Sequence, residues 1–336
     1  MRIAALVRPE DPPSLRVYTR AMIRELSDAG VEIAPFPEAG PLPTHVDAVW
    51  DPGLCMRSLA PILREVRGPL LGTMHGVKTF SLPLEELARS PEERATLEAL
   101  HNEVYTDWMW LRERISAVLA VSQYAAEEVI RAFEVPQSLV HVVPNGVDTT
   151  IFTPIGTRAL VTTLRPYFLH VSNGHPIKNL PRLVAAYEQL PEGARPDLVL
   201  VVSEPIETIS VSGVTVIRKV LDHKELARWY RGALAFVLPS LRETFGLTLI
   251  EAMACGCPVV TSWDTGCSEV GGDAVVRVNP RSVGDLTLSL ERVWQDAGLR
   301  IELSTLGPTR AGEYSWRNSA AALLAVLSSL GIHPHE

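Results

Sequence analysis

The chain has 336 residues, 46% of them apolar and 21% charged, and this length and composition predict about two globular domains. Its 31 basic and 39 acidic side chains leave a formal net charge of −8, and the sequence contains no long basic run. Because nucleic-acid phosphates are bound by clustered positive charge, this balance disfavours a nucleic-acid partner. No apolar run approaches the roughly 18 residues that a membrane span requires.

The apolar start, residues 1–7, is too short for a signal peptide and predicts a buried first strand. Four cysteines are too few for a disulfide scaffold in a chain of this length. We interpret them as small buried thiols in a reducing compartment, so the sequence predicts a cytoplasmic protein. A zinc site at Cys255, Cys257 and Cys267 is the alternative.

The first half of the chain alternates short β-branched runs with longer amphipathic ones, which predicts strands and helices in turn. The predicted strands are residues 3–7, 31–35, 48–50, 69–73, 116–121 and 140–143, and the predicted helices are residues 18–29, 59–66 and 125–133.

The second half repeats this plan after a Pro- and Thr-rich stretch, residues 148–166, that we interpret as a linker. Its predicted strands are residues 167–171, 197–202, 214–217, 235–238 and 258–261, and its predicted helices are residues 180–190, 224–231, 247–254 and about 283–330, the last with a break at 307–308. Alternating strands and helices predict an α/β protein with two doubly wound, Rossmann-like parallel-sheet domains that face each other across a cleft. Ligands bind such sheets beyond the carboxyl ends of the strands.

The sequence lacks two common nucleotide-binding motifs. No G-x-G-x-x-G run follows a predicted strand, which weighs against a dinucleotide-dependent dehydrogenase. Residues 72–79, GTMHGVKT, superficially match a phosphate-binding loop, but the spacing of Gly72, Gly76 and Lys78 is wrong for one.

The most informative stretch is residues 239–260, PSLRETFGLTLIEAMACGCPVV. A predicted strand ends before it, a loop carries Glu243, and a helix carrying Glu251 begins near Gly246. The amides at such a helix start, those of Phe245, Gly246 and Leu247, together with the helix dipole form an anion site. Carboxylates accept hydrogen bonds from sugar hydroxyls. A capped amphipathic helix with two solvated glutamates remains the alternative at this point.

The two glutamates with Phe-Gly-Leu between them and the following EAMACGCPVV resemble the retaining glycosyltransferases of family 4, which have the GT-B architecture. The other segments that match in order are His75, residues 121–124 (VSQY), 143–148 (VPNGVD), 170–172 (HVS), 176–179 (PIKN), 239–240 (PS) and Glu269. The resemblance covers roughly residues 70 to 280. It implies an acceptor-side domain over residues 1–155, a nucleotide-sugar domain over 156–315, and a last helix over 316–336 that crosses back to the first domain.

The resemblance implies a role for each matching residue. Glu243 contacts the transferred sugar, Glu251 binds the ribose hydroxyls, Lys178 neutralises the leaving diphosphate, and His75 holds a sugar hydroxyl; the catalytic set is His75, Lys178 and Glu243. The donor site adds Val220 at the edge that binds the base, and the loop and helix-start residues Ser172, Asn173, Thr244, Phe245, Gly246 and Leu247. The sequence departs from the family where Gly76 replaces the Asp that often follows the histidine, and where residues 12–18 lack the paired glycines and offer Arg16.

The function that the resemblance implies is transfer of a hexose, with retained configuration, from a UDP- or GDP-linked sugar to a hydroxyl of a glycan, lipid or small molecule. It implies no metal or other cofactor. A non-catalytic partner subunit and a nucleotide-sugar epimerase are the alternatives. Because many relatives glycosylate lipids, residues 56–67, with Arg57, Arg64 and Arg67 beside apolar residues, are considered as a helix on a membrane surface, with a solvated helix face as the alternative.

Overall fold

The computed structural model describes residues 1–54, 57–159 and 165–333. The chain divides into two compact units. Unit 1 comprises Met1–Gly146 and Tyr314–Glu336, and unit 2 comprises Val147–Glu313.

The strands form one parallel six-stranded sheet in each unit. In chain order they are β1 (Arg2–Leu6), β2 (Glu32–Phe36), β3 (Ala48–Leu54), β4 (Leu70–Met74), β5 (Ala117–Ala120), β6 (Val140–Val142), β7 (Tyr167–Ser172), β8 (Asp197–Val202), β9 (Val214–Arg218), β10 (Ala235–Leu238), β11 (Val259–Ser262) and β12 (Val276–Val278). The strand order is β2-β1-β3-β4-β5-β6 in unit 1 and β12-β11-β10-β7-β8-β9 in unit 2. The inner strands β3, β4, β8 and β10 are buried along their whole length, as expected for a sheet covered on both faces.

Helices connect most of the successive strands, and the last three helices follow β12. They are α1 (Pro13–Asp28), α2 (Lys78–Ser81), α3 (Leu84–Leu87), α4 (Pro91–Leu111), α5 (Gln123–Phe133), α6 (Leu180–Glu188), α7 (His223–Gly232), α8 (Leu247–Ala254), α9 (Gly266–Gly271), α10 (Val283–Gln295), α11 (Ala297–Gly312) and α12 (Trp316–Ser329). Many begin at a side chain that accepts a hydrogen bond from the amide three residues later, a signal present in the sequence: Ser90, Ser122, Asp222, Ser282, Asp296 and Ser315. Two parallel sheets flanked by helices confirm the predicted fold class.

Several element boundaries differ from the prediction. Helix α1 begins at Pro13 rather than residue 18, because proline is well suited to the first turn of a helix. The predicted helix at 59–66 is only a 3₁₀ turn, Pro61–Glu65. Helices α2, α3, α4 and α9 and strand β12 are additional to the predicted elements. All of them except α4 are short, so their sequences carry little periodicity.

The predicted helix break at 307–308 is wrong. Helix α11 continues through Pro308, and the interruptions lie instead near Asp296 and Ser315. At Gly307 an added Cβ would lie 3.1 Å from the carbonyl oxygen of Met253. The missing side chain therefore lets α11 pack closely on α8, and this packing outweighs the hydrogen bond that Pro308 cannot donate.

The proposed membrane-surface helix is also not supported. Leu59 and Leu63 are buried in the core of unit 1. Arg57 pairs with Glu10 and Asp11, and Arg64 pairs with Asp107. These arginines are engaged in ion pairs rather than forming a basic face, and residue 56 lies outside the described residues. No helix in the described part of the chain is both long enough and apolar enough to cross a bilayer.

Most of the predicted linker lies within unit 2. Phe152 is buried, and its ring centroid lies 6.2 Å from that of Tyr230 on α7. Residues 160–164 of the stretch lie outside the described residues.

Candidate functional site

The strand order of unit 2 creates a site at the carboxyl ends of β7 and β10. These strands are neighbours, but the chain proceeds from β7 to one side of the sheet and from β10 to the other. Such a reversal point, beyond the carboxyl ends of the two strands, is where the crevice that binds ligands lies in open α/β sheets. The loop after β7 carries Lys178, and the loop after β10 carries Glu243.

The structure brings these two side chains into contact. The Lys178 ammonium donates a hydrogen bond to Glu243 Oε1, and the Ser240 hydroxyl donates to the same oxygen over 3.0 Å. The side chains of Lys178 and Glu243 are 21% and 15% exposed, so the pair is sheltered but still reachable. The main chains of the two loops are also joined, since Leu241 N–H donates to the Ile177 carbonyl over 2.8 Å.

Ser172 and Asn173 shape the loop that leads to Lys178. Ser172 Oγ accepts a hydrogen bond from the Gly174 amide over 3.1 Å, and Asn173 Oδ1 accepts one from the His175 amide over 3.2 Å. Ser172 Oγ also lies 2.9 Å from His170 Nε2. His170 is buried, and this burial lowers its pKa to about 4, so its ring is neutral at physiological pH.

Helix α8 begins shortly after Glu243 in the sequence, so its start lies next to the Glu243 loop. Thr244 and Phe245 are buried, and Gly246 turns the chain into the helix with φ +84°. An added Cβ at Gly246 would lie 2.4 Å from Cys267 Sγ, so this turn requires glycine. Leu247 is the first helical residue. The positive end of the helix dipole therefore lies at the crevice, where an anion is stabilised.

Glu251 lies inside α8 and is only 8% exposed. The Tyr230 hydroxyl donates to Glu251 Oε2 over 3.3 Å. Burial raises the pKa of Glu251 to about 8, so the carboxyl group is largely protonated at neutral pH. With Glu251 buried and Glu243 paired, the alternative of two solvated glutamates is wrong.

Val220 follows β9, the outermost strand of the sheet, and is 65% exposed at the same carboxyl edge. Its neighbour Lys219 is held by a hydrogen bond from its amide to the Val202 carbonyl over 3.1 Å. Val220 is thus displaced along the edge from the Lys178–Glu243 pair by the width of β8.

His75 belongs to unit 1 and directly follows β4. Its Nε2 lies 2.9 Å from the Pro52 carbonyl, so Nε2 carries the proton. The Tyr18 ring packs edge-on against the imidazole at 4.6 Å. Burial lowers the pKa of His75 to about 4, which leaves the ring neutral and able to accept a proton only at acidic pH.

The loop between β1 and α1 carries an arginine that the sequence prediction missed. Arg8 follows β1, is buried, and forms two hydrogen bonds to Asp51 on β3, of 2.9 and 3.1 Å, and one to Glu38 of 2.8 Å. Strands β1 and β3 are neighbours at the point where the strand order of unit 1 reverses. Arg16 instead lies exposed on α1 and donates to the Pro9 carbonyl over 3.1 Å.

The sequence prediction also missed Gly266, which supports the Glu243 loop, and it included Ser240 only as part of the matching segment 239–240. The Gly266 amide donates to the Glu243 carbonyl over 2.8 Å, and a Cβ at Gly266 would lie 1.9 Å from the Thr244 carbonyl oxygen. Ser240 orients the Glu243 carboxylate, as described above. In the sequence, the only signal for the contact between Gly266 and the Glu243 loop is the glycine itself, which follows β11.

No three His, Cys, Asp or Glu side chains among residues 1–54, 57–159 and 165–333 lie close enough together to hold a metal ion. Cys255, Cys257 and Cys267 are buried free thiols, and burial raises the pKa of each. The zinc alternative therefore has no support at these cysteines.

Comparison with known proteins gives matches over both halves of the chain. Residues 38–151 match the model described as Glycosyltransferase Family 4, and residues 160–307 match the model described as Glycosyl transferases group 1. A D-inositol 3-phosphate glycosyltransferase of Paenarthrobacter aurescens is 27% identical over 276 residues, which cover 76% of this chain and 66% of that protein. An MMP alpha-(1->4)-mannosyltransferase of Mycolicibacterium hassiacum is 30% identical over 271 residues, 77% of this chain and 64% of that protein. The matched region is thus just under two thirds of the length of these relatives.

Two solved structures share the fold. A sucrose-phosphate synthase from Thermosynechococcus elongatus superimposes with a TM-score of 0.74 at 20% identity, covering 98% of this chain and 99% of that one. Anabaena HepE in complex with UDP-glucose superimposes with a TM-score of 0.72 at 16% identity, covering 98% of this chain and 100% of that one. The two family models together match most of the chain and agree with the resemblance seen in the glutamate motif: the chain belongs to glycosyltransferase family 4.

Proposed function

We propose that this protein is a retaining glycosyltransferase that moves a hexose from a nucleoside-diphosphate sugar to an acceptor hydroxyl. The observation that carries the proposal is the sheltered Lys178–Glu243 pair in the crevice between β7 and β10, beside the start of α8. A lysine and a helix N-terminus in one crevice are suited to a diphosphate, and a carboxylate beside them is suited to sugar hydroxyls.

The proposed chemistry is electrostatic. As the bond between the sugar and the diphosphate breaks, negative charge develops on the leaving phosphate oxygens. Lys178 and the helix start stabilise that charge, and donors preorganised in this way lower the barrier without rearranging during the reaction. Since these groups supply the positive field, we propose that the reaction needs no bound metal.

The other residues have binding roles in this proposal. When the donor binds, the Lys178 ammonium turns toward the diphosphate, which frees Glu243 to accept hydrogen bonds from the transferred sugar. Glu251 holds the ribose hydroxyls, and Val220 contacts the base through its backbone. Neutral His75 exchanges a hydrogen bond with a sugar hydroxyl, the role that the family resemblance implies for it.

The names of similar proteins support the donor class. The relatives described above are a glycosyltransferase and a mannosyltransferase, and HepE was solved with UDP-glucose. We therefore propose a UDP- or GDP-linked sugar as donor and a hydroxyl of a glycan, lipid or small molecule as acceptor.

The experiment has two stages. A thermal-shift panel of UDP-, GDP- and ADP-sugars identifies the donor, because a ligand that binds the folded state raises the melting temperature. The selected donor is then incubated with candidate acceptors, and released nucleoside diphosphate and the anomeric configuration of the product are measured. Acceptor-dependent release with retained configuration is the expected result.

Three outcomes contradict the proposal. Donor binding without release in the presence of any acceptor indicates a non-catalytic partner subunit. Conversion of the donor into a different nucleotide sugar without acceptor indicates an epimerase. If no nucleotide sugar in the panel shifts the melting temperature, the protein does not have the proposed donor site.

A further inference from the structure

One buried side chain joins the loop of Lys178 to the loop of Glu243. Asn179 follows Lys178 directly, is 2% exposed, and adopts a left-handed conformation with φ 62°. Asparagine tolerates this region better than most residues, and here it ends the 3₁₀ turn Pro176–Lys178 before α6 begins.

All the hydrogen bonds of the Asn179 amide group go to other parts of unit 2. Its Nδ2 donates to the Pro239 carbonyl over 2.9 Å and to the Pro280 carbonyl over 2.7 Å. Its Oδ1 accepts a hydrogen bond from Arg182 Nη1 over 2.9 Å. Because two partners are carbonyls and the third is a guanidinium, the orientation of the amide group is unambiguous.

The two carbonyls belong to loops that are distant along the chain. Pro239 opens the loop that carries Ser240 and Glu243 after β10, and Pro280 follows β12. Asn179 therefore connects the ends of three strands of one sheet, and the residue before it is the lysine that contacts Glu243.

We infer that Asn179 is a positioning residue for the transfer reaction: its side chain sets the distance between the Lys178 ammonium and the Glu243 carboxylate. This inference rests on the proposed function. Displacing a catalytic group by about 1 Å can lower a rate by about 10²-fold. A side chain that holds both loops is therefore placed to control turnover without touching the substrate.

The main-chain bond between Leu241 and Ile177 does not depend on the Asn179 side chain. Variants at position 179 thus keep one link between the loops, and we expect them to fold while the loops lose their fine alignment.

The test compares Asn179→Gly with Arg182→Gln. Glycine accepts the left-handed conformation and removes every side-chain hydrogen bond without adding a charge. Arg182→Gln is the matched control, because it removes only the outer bond of the same group and leaves both carbonyls bonded. Asn179→Asp is a second variant; it keeps an acceptor for Arg182 and loses the donor.

Two quantities are measured well below the melting temperature: kcat and donor KM for sugar transfer, and hydrogen–deuterium exchange of the amides in residues 240–246. We expect Asn179→Gly to lower kcat by about 10²-fold with a smaller change in donor KM, and to speed exchange in that segment. We expect Asn179→Asp to lower kcat as well, and Arg182→Gln to change both quantities by less than about threefold.

A kcat within about threefold of wild type in folded Asn179→Gly and Asn179→Asp would overturn the inference. So would an Arg182→Gln variant that loses as much activity as Asn179→Gly. If wild-type protein turns over no nucleotide sugar, the proposed function fails, and the exchange data then decide on the inference separately: unchanged exchange in residues 240–246 overturns it, and faster exchange supports it.

Discussion

Lys178 and Glu243 lie 65 positions apart in the sequence, and their candidate role in catalysis depends on their contact. A lysine in a loop and a glutamate in another loop are each unremarkable surface residues. Their contact at the reversal point of the sheet, with Ser240 on the same carboxylate oxygen, makes them the best candidates for catalysis in unit 2.

The first prediction concerns this pair. Lys178→Ala and Glu243→Ala should each lower kcat by about a hundredfold or more, because each removes a preorganised group at the proposed reacting centre. Steady-state release of nucleoside diphosphate measures the effect, and circular dichroism checks the fold. Lys224→Ala, at an exposed lysine on α7, is the matched control and should retain wild-type kcat. Turnover at the wild-type rate in either site variant would refute the assignment.

Glu251 differs from Glu243 because it is buried beside a phenol rather than an ammonium. Burial raises its pKa from an ordinary 4.5 to about 8. Between these values the folded state holds a proton that the unfolded state has released. The contribution of Glu251 to stability is therefore complete below about pH 4.5 and is lost as the pH rises toward 8.

The second prediction follows from the direction in which the stability contribution of Glu251 changes with pH. The free energy of unfolding of wild-type unit 2 should fall by an amount on the order of 1 kcal/mol or more between pH 6.5 and 8. Glu251→Gln, which stays neutral, should lack this fall. Urea unfolding at the two pH values measures the difference. Parallel curves for wild type and variant would show that Glu251 is already ionised in the folded protein.

At the scale of the element, the start of α8 depends on one backbone conformation. Gly246 has φ +84° and faces Cys267 Sγ at a distance too short for a Cβ. Gly312, the last residue of α11, has no atom near the position of its Cβ and no positive φ. The same substitution should therefore have opposite effects at these two helix ends.

The third prediction is that Gly246→Ala lowers the free energy of unfolding by about 1–3 kcal/mol, through strain and overpacking. Gly312→Ala, the control, should be neutral or raise it by up to about 1 kcal/mol, since alanine has the higher helix propensity. Chemical denaturation of both variants measures the effects. Equal effects of the two substitutions would contradict the conformation of the α8 start.

How far elements can be predicted depends on how local their signals are. The helices that begin at Ser122 and Asp222 have their capping residue and their apolar face within a few residues of sequence. The course of α11 through Pro308 could not be predicted, because the reason for it is the contact of Gly307 with Met253, 54 residues earlier. The short α9 was missed because six residues show no clear period.

At the scale of the whole molecule, each unit holds a neutral histidine next to a sheet: His170 is buried, and His75 is half-buried. Burial lowers the pKa of His75 in unit 1 and of His170 in unit 2 from 6.5 to about 4. Between these values the unfolded state binds protons that the folded state does not. Stability from these histidines is therefore complete above about pH 6.5 and is lost as the pH falls toward 4.

The fourth prediction separates the two units. Acidification from pH 6.5 to 4.5 should weaken unit 1 in the wild type and both units in Glu251→Gln, whereas alkalisation of the wild type from 6.5 to 8 should weaken unit 2, which alone contains Glu251. Using Glu251→Gln as the background removes the opposing contribution of the carboxyl group and exposes the acid loss in unit 2. Hydrogen–deuterium exchange resolved by unit measures both effects. In Glu251→Gln, acid sensitivity confined to one unit would show that the histidine of the other does not have a lowered pKa.

The sequence by itself determined the alternation of strands and helices, the parallel sheets and the family. Periodicity, helix caps and the glutamate motif each involve only residues that lie close together in the sequence. Only the tertiary structure decided which distant residues touch: Lys178 with Glu243, Tyr230 with Glu251, and Asn179 with the carbonyls of two other loops. The physical reason is that such contacts depend on strand order and on the crossing of the chain at its reversal points. Neither leaves a local pattern, since a loop residue has the same neighbours in sequence whichever strand lies beside it.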